Sequence, residues 1–455
     1  MPVVHAARAL TPEGWKSDVR VTIEDGAIAA VQTEASAKEG DESHAIMAPA
    51  AMNLHSHAFQ RAMAGLAEAR GKEADTFWTW REAMYRFALT MSPEDVEAVA
   101  AQLYVEMLEA GFAAVAEFHY LHNAPDGSPY EQPAEMAGRI LAAAGRAGIG
   151  ITLLPVFYAH STFGGAPPTP EQRRFVTDIA SFARLLEDCR GMIKETAGQA
   201  IGVAPHSLRA VTPAELLELA PLAGDGPIHI HAAEQIKEVE DCVASLGARP
   251  VRWLLDNIGV GERWCLVHAT HMDGGETQDL ARSGAVAGLC PVTEANLGDG
   301  IFNAADYIRG GGRYGVGTDS NVSIGVAGEL RQLEYAQRLR ERARNVCAPP
   351  GMSCGRAMLE AAWLGGAQAL ARNSGKLAQG AAADILTFRA DHPTLAGKAD
   401  DQILDAWIFS VGNALVDCVW SGGLKVVAGG RHVFREQIAA QFVKTMRELG
   451  EPSAS

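Results

Sequence analysis

The feature that most restricts the fold of this 455-residue chain is an alternation of short apolar runs and helix-like segments between residues 49 and 375. The apolar runs have the length of buried strands, and they end in polar residues. The eight predicted strands are the run Ala45–Pro49 leading into Met52–Gln60, then Ala113–Tyr120, Ile151–Tyr158, Ile201–Leu208, Pro227–Glu234, Trp264–Thr270, Ala285–Val292 and Tyr314–Asn321. Eight strands that alternate with helices predict an α/β fold of the (β/α)8, TIM-like barrel type, whose active site lies at the carboxyl ends of the strands.

Segments with helical periodicity separate these strands. Pro93–Gly111 follows Ser92, a good N-cap residue, has proline in its first turn and ends at glycine. Three further segments resemble it, namely Glu171–Lys194, Pro213–Leu222 and Gly325–Arg344.

Both ends of the chain have the residue patterns that are typical of β-strands. Val19–Ile23 and Ala27–Val31 flank a Glu-Asp-Gly turn, which is typical of a hairpin, and Ala383–Phe388 and Asp417–Ser421 are short strand-like runs. We expect these ends to join in one discontinuous sandwich. The predicted division is 1–48 and 376–433 for the β-sandwich, 49–375 for the barrel, and 434–455 for a helix near Arg435–Leu449 and a polar tail.

Composition narrows the possible partners and the compartment. A formal net charge of −16 argues against nucleic acid or an anionic membrane surface, whereas a small anionic substrate remains possible where arginines gather. No apolar run is long enough to span a bilayer, and Met1–His5 does not open a signal peptide. Seven cysteines without a Cys-x-x-Cys pair indicate reduced thiols, so we expect a cytoplasmic protein.

Potential metal ligands occur at the ends of several predicted strands. His55 and His57 lie on one face of the first strand because side chains alternate along it. His231 ends the fifth strand and Asp319 the eighth, so the barrel would bring three imidazoles and one carboxylate together. Such a set holds one divalent ion, zinc or iron, and leaves a position for water, whose pKa the ion lowers from ~15.7 towards ~7.

Two further residues are candidates for the catalytic step. Glu234 follows His231 by three residues and is expected to shuttle a proton, while His268, on the sixth strand, is expected to orient the nucleophile.

Some of these histidines have alternative interpretations. His229 shares its strand face with His231 and could be the ligand instead, although His231 lies nearer the carboxyl end. Asp319 could be the N-cap of the following helix. We interpret three other histidines as hydrogen-bonded core residues: His119, His122 and His160.

The pattern resembles the amidohydrolase superfamily, whose members carry His-x-His on strand one, histidines on strands five and six, and aspartate on strand eight. The superfamily's two-metal members have a lysine on strand four. Here Lys72 falls in a predicted loop and Lys194 in a predicted helix, so the resemblance implies a one-metal site of the deaminase type. It also implies a homodimer.

Five segments are similar to the branch of the superfamily that hydrolyses N-formimidoyl-L-glutamate to N-formyl-L-glutamate and ammonia in histidine degradation. These segments are 53–63, 77–81, 116–120, 204–209 and 231–235. The resemblance implies that five residues contact substrate: Gln60, Arg81, Tyr120, His206 and Arg209. Because this substrate has two carboxylates, paired arginines suit it. Alternatively, Arg81 pairs with Glu82 or Glu73 on the surface.

Two other functions compete with this hypothesis. A purine or pyrimidine deaminase of the same fold would need aromatic stacking and amide contacts in place of paired arginines. A non-catalytic barrel scaffold would be expected to have lost ligands, whereas the complete set and Glu234 are present here.

Overall fold

A computed structural model describes residues 1–70, 76–194 and 198–450 of the chain. The strands, in chain order, are β1 (Val3–Thr11), β2 (Gly14–Glu24), β3 (Ala27–Gln32), β4 (Glu42–Pro49), β5 (Ala51–Ser56), β6 (Phe112–His119), β7 (Gly150–Phe157), β8 (Gln199–Ile201), β9 (Ala204–Pro205), β10 (Ile228–Ala232), β11 (Trp264–His268), β12 (Val286–Leu289), β13 (Arg313–Val316), β14 (Ile385–Phe388), β15 (Val416–Ser421), β16 (Leu424–Ala428) and β17 (Arg431–His432). The α-helices are α1 (Phe77–Ala88), α2 (Pro93–Glu109), α3 (Glu135–Ala147), α4 (Ile179–Met192), α5 (Pro213–Leu219), α6 (Ile236–Leu246), α7 (Pro250–Asn257), α8 (Gly274–Ser283), α9 (Pro291–Leu297), α10 (Ala304–Arg309), α11 (Val326–Glu341), α12 (Cys354–Ala369), α13 (Asp401–Ala406) and α14 (Arg435–Gly450).

The two ends of the chain share one mixed, eight-stranded sheet. Strand β14 pairs antiparallel with β4 and so joins the C-terminal strands β14–β17 to the N-terminal strands β1–β4. The predicted hairpin forms between β2 and β3, and its turn residues Asp25 and Gly26 have positive φ values of 49° and 79°. Turns of this hand match the right-handed twist of the paired strands. The prediction of a β domain built from both ends is therefore confirmed.

The middle of the chain forms the predicted barrel. Strands β5–β8 and β10–β13 form two parallel sheets, and β9 pairs with β7. Isolated parallel bridges Val203–Ile228 and Ser56–Asp319 link the two sheets on both sides. The fourth predicted strand is divided into β8 and β9 at Gly202, where a Cβ atom would lie 2.3 Å from the carbonyl oxygen of Pro227. The (β/α)8 fold class is confirmed.

The first barrel strand differs in detail from its prediction. The apolar run Ala45–Pro49 belongs to β4 of the terminal sheet, and the barrel begins at Ala51 with β5. The backbone N–H of Ala50 donates to the carbonyl of Asp384 at 3.1 Å, and that of Ala51 to the carbonyl of Gly111 at 3.0 Å. This switch between two sheets takes place within one residue, which a pattern of apolar residues does not reveal.

The single helix predicted over Glu171–Lys194 is wrong. The chain forms a 3-10 turn at Pro170–Gln172, and α4 starts only after Asp178, whose side chain accepts from the backbone N–H of Ser181 at 2.7 Å. Lys194 therefore lies beyond the end of α4 and not in a helix. Lys72 lies outside the described residues.

A buried arginine explains this break. Arg174 is fully buried, and its guanidinium donates to the carbonyls of Ala88, Met91 and Asn123 at 2.5, 2.8 and 2.8 Å. This anchoring fixes the segment in an irregular conformation between the 3-10 turn and α4.

Helix α14 packs on α2 and closes the C-terminal part of the chain against the barrel. Within the described ranges, none of the helices combines the length and apolar character needed to cross a bilayer.

Candidate active site

Four ligand-type side chains meet at one end of the barrel. His55 lies in β5, His57 directly follows it, His231 lies in β10, and Asp319 follows β13. All four are buried, and their ligand atoms lie within 4.8 Å of one another. The structure thus brings together the residues for which the sequence predicted a shared ion.

The distances within this cluster suit a single cation. The Nε2 atom of His55 lies 3.2 Å from Nε2 of His57 and 3.0 Å from Nε2 of His231. The Oδ1 atom of Asp319 lies 3.5 Å from Nε2 of His55 and 3.2 Å from Nε2 of His57. Ligand atoms at about 2.0–2.1 Å from a tetrahedral zinc ion are separated by about 3.3 Å. The donor set and its spacing therefore fit a divalent ion.

The hydrogen bonds of the imidazoles leave Nε2 for coordination. Nδ1 of His57 donates to the carbonyl oxygen of Phe118 at 2.9 Å, which fixes a tautomer with a lone pair on Nε2. His229 lies one pleat deeper, where its Nε2 donates to the carbonyl of Ala369 at 2.8 Å. The structure therefore keeps His229 out of the cluster.

The strand ends around the cluster have strained backbone. His268 and Asp319 both have positive φ values, 66° and 45°, which non-glycine residues seldom adopt. Asn321 helps to hold this conformation, because its Nδ2 donates to the carbonyl oxygens of His57 and Asp319 at 3.0 and 2.9 Å. Such strain is typical of functional sites.

The pKa values of His55 and Asp319 are both shifted in the direction that favours metal coordination. Burial lowers the pKa of His55 to about 3, which keeps its ring neutral and able to coordinate. Although burial acts to raise it, the pKa of Asp319 is held well below its usual range by hydrogen bonds from His55 and His57.

Beside the cluster lies a second group of buried polar side chains around His268. Its Nε2 is 3.6 Å from Oε1 of Glu234, and its Nδ1 is 3.3 Å from Oε1 of Glu294. Burial alone would lower the pKa of His268, but Glu234, Glu294 and Asp319 raise it to about 10. These carboxylates favour the protonated form of the His268 ring over the neutral form.

Asp299 completes this second group. The residue is 5% exposed, and burial followed by repulsion from Glu234 raises its pKa to about 9. Glu234, His268 and Asp299 offer ligand-type atoms within 4.8 Å of one another.

A cavity at the mouth of the barrel contains the predicted substrate residues. Its lining includes Gln60, Arg81, Tyr120, His206 and Arg209 together with Glu234, His268 and the ligand-type residues His57, His231 and Asp319. Gln60 Nε2 donates to the hydroxyl of Tyr120 at 2.8 Å. His206 Nδ1 lies 3.0 Å from Ser207 Oγ.

The two arginines of the cavity are held by different partners. Arg81 Nη2 donates to the hydroxyl of Tyr158 at 3.0 Å, and its guanidinium lies over the ring of Tyr85. Arg209 Nη2 lies 3.4 Å from Oε2 of Glu234. Glu73, an alternative partner for Arg81, lies outside the described residues.

Of the three histidines that we interpreted as hydrogen-bonded core residues, His122 is both buried and hydrogen-bonded, whereas His160 is half-buried and the buried Nε2 of His119 has no partner within the described residues. His122 Nε2 donates to the carbonyl of Val156 at 2.8 Å, and His160 Nε2 lies 3.0 Å from both carboxylate oxygens of Glu215. His119 is buried against His122 with ring centroids 5.5 Å apart.

The sequence analysis missed several residues of the site. Tyr158 could have been predicted, because it lies at the end of the third predicted strand, and other site residues also lie at strand ends. Three others do not lie at strand ends, so the pattern did not mark them. Gln172, whose Nε2 donates to Tyr158 at 2.8 Å, lies in the 3-10 turn. Glu294 lies in α9, and Asp299 lies in the loop after it.

Comparison with protein families agrees with this geometry. Residues 46–426 match the model of the Amidohydrolase family, and residues 1–45 match the model described as Formimidoylglutamate deiminase HutF, N-terminal domain.

Individual relatives extend the comparison. The chain is 50% identical over 99% of its length to the whole of a formimidoylglutamate deiminase from Pseudomonas aeruginosa. It is 28% identical to a 5-methylthioadenosine/S-adenosylhomocysteine deaminase from Natronomonas pharaonis, over 87% of this chain and 86% of that protein. Among solved structures, an amidohydrolase from Brucella melitensis superposes with a TM-score of 0.95 at 54% identity, covering 99% of this chain and 100% of the other.

Proposed function

The chain belongs to the amidohydrolase family, and from this premise we propose that it hydrolyses N-formimidoyl-L-glutamate to N-formyl-L-glutamate and ammonia. One observation carries the proposal: Arg81 and Arg209 line the same cavity as the His/Asp cluster. A substrate with two carboxylates can engage both guanidinium groups while its amidine carbon faces the cluster. The similarity to the Pseudomonas aeruginosa deiminase supports the same substrate.

His55, His57, His231 and Asp319 would hold one divalent ion. Three imidazoles and one carboxylate suit Zn²⁺ best, and Fe²⁺ accepts the same set. When bound, the ion lowers the pKa of water and so supplies hydroxide at neutral pH.

Glu234 would move the proton in this reaction. A C–O bond forms at the formimidoyl carbon, and the C–N bond to the terminal nitrogen breaks. Glu234 takes one proton from the attacking water and passes it to that nitrogen, and then moves the remaining O–H proton to the same nitrogen as the carbonyl forms, so that ammonia leaves. Its position supports this role, because Glu234 lines the cavity and its carboxylate lies 3.6 Å from His268 and 3.4 Å from Arg209.

Other side chains would orient the amidine. His268 donates a hydrogen bond to the attacking oxygen, and His206 is a second donor near the amidine. Gln60 Oε1 is buried without a hydrogen-bond partner in the described part of the chain, so it can accept an amidine N–H. Such unpaired buried groups favour a substrate that supplies the missing donor.

A ring deaminase is the second candidate, because aromatic side chains also line the cavity. They are Phe77, Trp80, Tyr85, Tyr120, Tyr158 and Phe175. Two of them, Tyr85 and Tyr158, contact Arg81 directly, which ties them to carboxylate binding and leaves fewer for stacking on a base.

The deciding experiment measures ammonia release from N-formimidoyl-L-glutamate, guanine and cytosine, with metal analysis of the same sample. We expect release from the linear amidine by protein that carries one divalent ion per chain. Arg81→Met is expected to raise KM by roughly 100-fold without loss of the ion, because a charged hydrogen bond contributes about 1.5–3 kcal/mol. Ammonia from guanine or cytosine, with none from the amidine, would favour the ring deaminase.

The homodimer and the cytoplasmic location also remain proposals. Light scattering of the purified protein tests the first, and a mass of one chain would refute it.

A further inference from the structure

We propose that Glu234, His268 and Asp299 form a second site for a borderline transition-metal ion such as Zn²⁺ or Co²⁺, next to the His/Asp cluster, and that an ion there inhibits the enzyme. The inhibitory part rests on the proposed function, because Glu234 and His268 are the groups assigned to proton transfer and orientation. The binding part rests on geometry alone.

The ligand atoms of these three residues already converge. They lie within 4.8 Å of one another, and Nε2 of His268 is 3.6 Å from Oε1 of Glu234, close to the ligand spacing around a tetrahedral ion. Nδ1 of His268 faces Glu294 at 3.3 Å, so Nε2 is the nitrogen turned towards the site. A carboxylate behind the ring in this way orients metal-binding histidines.

Asp299 is the observation that points to a missing ligand. Its backbone N–H donates to the carbonyl of Glu294 at 2.9 Å, and its own carbonyl accepts from Nε2 of His271 at 2.8 Å. Its Oδ1 accepts from Gln235, whereas its buried Oδ2 has no partner in residues 1–70, 76–194 and 198–450. A carboxylate oxygen that is buried, fixed and unpaired is costly unless something binds it.

The local charge favours an additional cation. Four carboxyl groups lie near His268, from Glu234, Glu294, Asp299 and Asp319, and an ion held among them would relieve the repulsion between Glu234 and Asp299. The guanidinium of Arg209 offsets this charge only in part, since it is shared between Glu234 at 3.4 Å and Glu238 at 3.6 Å. The imidazole ligand selects zinc-like ions over Mg²⁺ and Ca²⁺, which prefer oxygen.

This site differs from a lysine-bridged two-metal centre in its ligands. It uses a glutamate that follows β10, the histidine of β11 and an aspartate from the loop after α9. Asp319 lies between the two positions, with Oδ1 towards His57 at 3.2 Å and Oδ2 towards His268 at 3.8 Å. An ion held by Glu234 and His268 would block the proton transfer and stand where the amidine must bind.

Equilibrium dialysis of protein already loaded with one zinc ion per chain tests the binding. We expect the wild type to take up a second Zn²⁺ or Co²⁺ ion at excess metal, and Asp299→Asn to weaken that second binding by roughly 10–100-fold while keeping the first ion. Glu234→Gln should have the same effect on stoichiometry, which gives an independent variant if Asp299→Asn folds poorly. His44→Gln, in the separate Glu42–His44–Cys418 cluster, is the matched control and should behave as the wild type.

The outcomes separate the site from its alternatives. A wild type that stays at one ion overturns the proposal, as does a second ion that His44→Gln loses and Asp299→Asn retains. Ammonia release should fall with excess zinc in the wild type, and the inhibiting concentration should rise at least tenfold in Asp299→Asn. Because the dialysis needs no substrate, a protein that binds the second ion but releases no ammonia refutes the proposed function and leaves the site standing.

Discussion

Tyr158 is held by two donors, and this determines where its own proton can go. Its phenolic oxygen accepts from Nε2 of Gln172 at 2.8 Å and from Nη2 of Arg81 at 3.0 Å. With both lone pairs engaged, the O–H points away from these partners, and the residue lines the cavity. The hydroxyl is thus suited to donate to the substrate carboxylate that we propose Arg81 binds.

We predict that Tyr158→Phe raises KM for N-formimidoyl-L-glutamate by roughly 10–100-fold, with a smaller change in kcat, because a hydrogen bond to a charged group contributes about 1.5–3 kcal/mol. Steady-state ammonia release measures both constants. Tyr130→Phe is the control, since that hydroxyl contacts Arg174 at 3.4 Å and not Arg81. Equal effects of the two substitutions would contradict the assignment.

The choice between His229 and His231 yields a second prediction at this scale. His231→Asn should lose most of the bound ion and nearly all activity, because a ligand of the cluster is removed. His229→Asn should keep the ion, since His229 already donates to the carbonyl of Ala369. Metal analysis of the two purified variants decides, and the reverse pattern would make His229 the ligand.

Individual ligand-type residues could be predicted where they sit at strand ends, as His55, His57, His231 and Asp319 do. The alternation of side chains along a strand puts His229 and His231 on the same face of β10, so it could not tell which of them is the ligand. The two differ only in their depth along β10. Asp299 could not be predicted, because its place beside Glu234 depends on contacts with Gln235 and His271 from other elements.

The break between the 3-10 turn and α4 depends on one side chain. Arg174 joins three segments by donating to the carbonyls of Ala88, Met91 and Asn123. Helical periodicity continues through this region, so the sequence favoured one helix. The tertiary hydrogen bonds of a single arginine outweigh that local preference, which is why the pattern predicted the element incorrectly.

We predict that Arg174→Met lowers the free energy of unfolding by about 3 kcal/mol or more, because it leaves buried carbonyls without donors. Arg173→Met is the matched control: that arginine is half-buried, and its substitution should lower the stability by less than about 1 kcal/mol. Chemical denaturation of both variants measures the difference. Similar losses for the two would show that burial of Arg174 is not the cause.

At the scale of the molecule, the strand–helix alternation was sufficient to predict the barrel, whereas the terminal sheet was predicted only as a β domain. The pairing of β14 with β4 joins residues far apart in the chain, and no local pattern fixes its register.

The barrel buries many histidines. Burial lowers the pKa of six of them: His55, His119, His122, His206, His229 and His231.

Buried neutral histidines make the stability of the whole fold depend on pH, and His122, which is not one of the ligand-type residues of the cluster, allows a test. Burial lowers its pKa to about 4 in the folded chain, against about 6.5 when unfolded. The unfolded chain therefore takes up the proton first, and this residue's contribution to stability is full above pH ~6.5 and lost as the pH falls towards ~4, by on the order of 3 kcal/mol. Burial raises the pKa of Glu117 to about 7, which acts in the opposite direction, so the pH dependence of wild-type stability alone does not identify the contribution of His122.

We predict that His122→Gln, which can still donate to the carbonyl of Val156, reduces the loss of unfolding free energy between pH 7 and pH 4.5 by about 2 kcal/mol. Denaturant titrations of both proteins at the two pH values measure it, and identical pH dependence would show that His122 does not resist protonation in the fold.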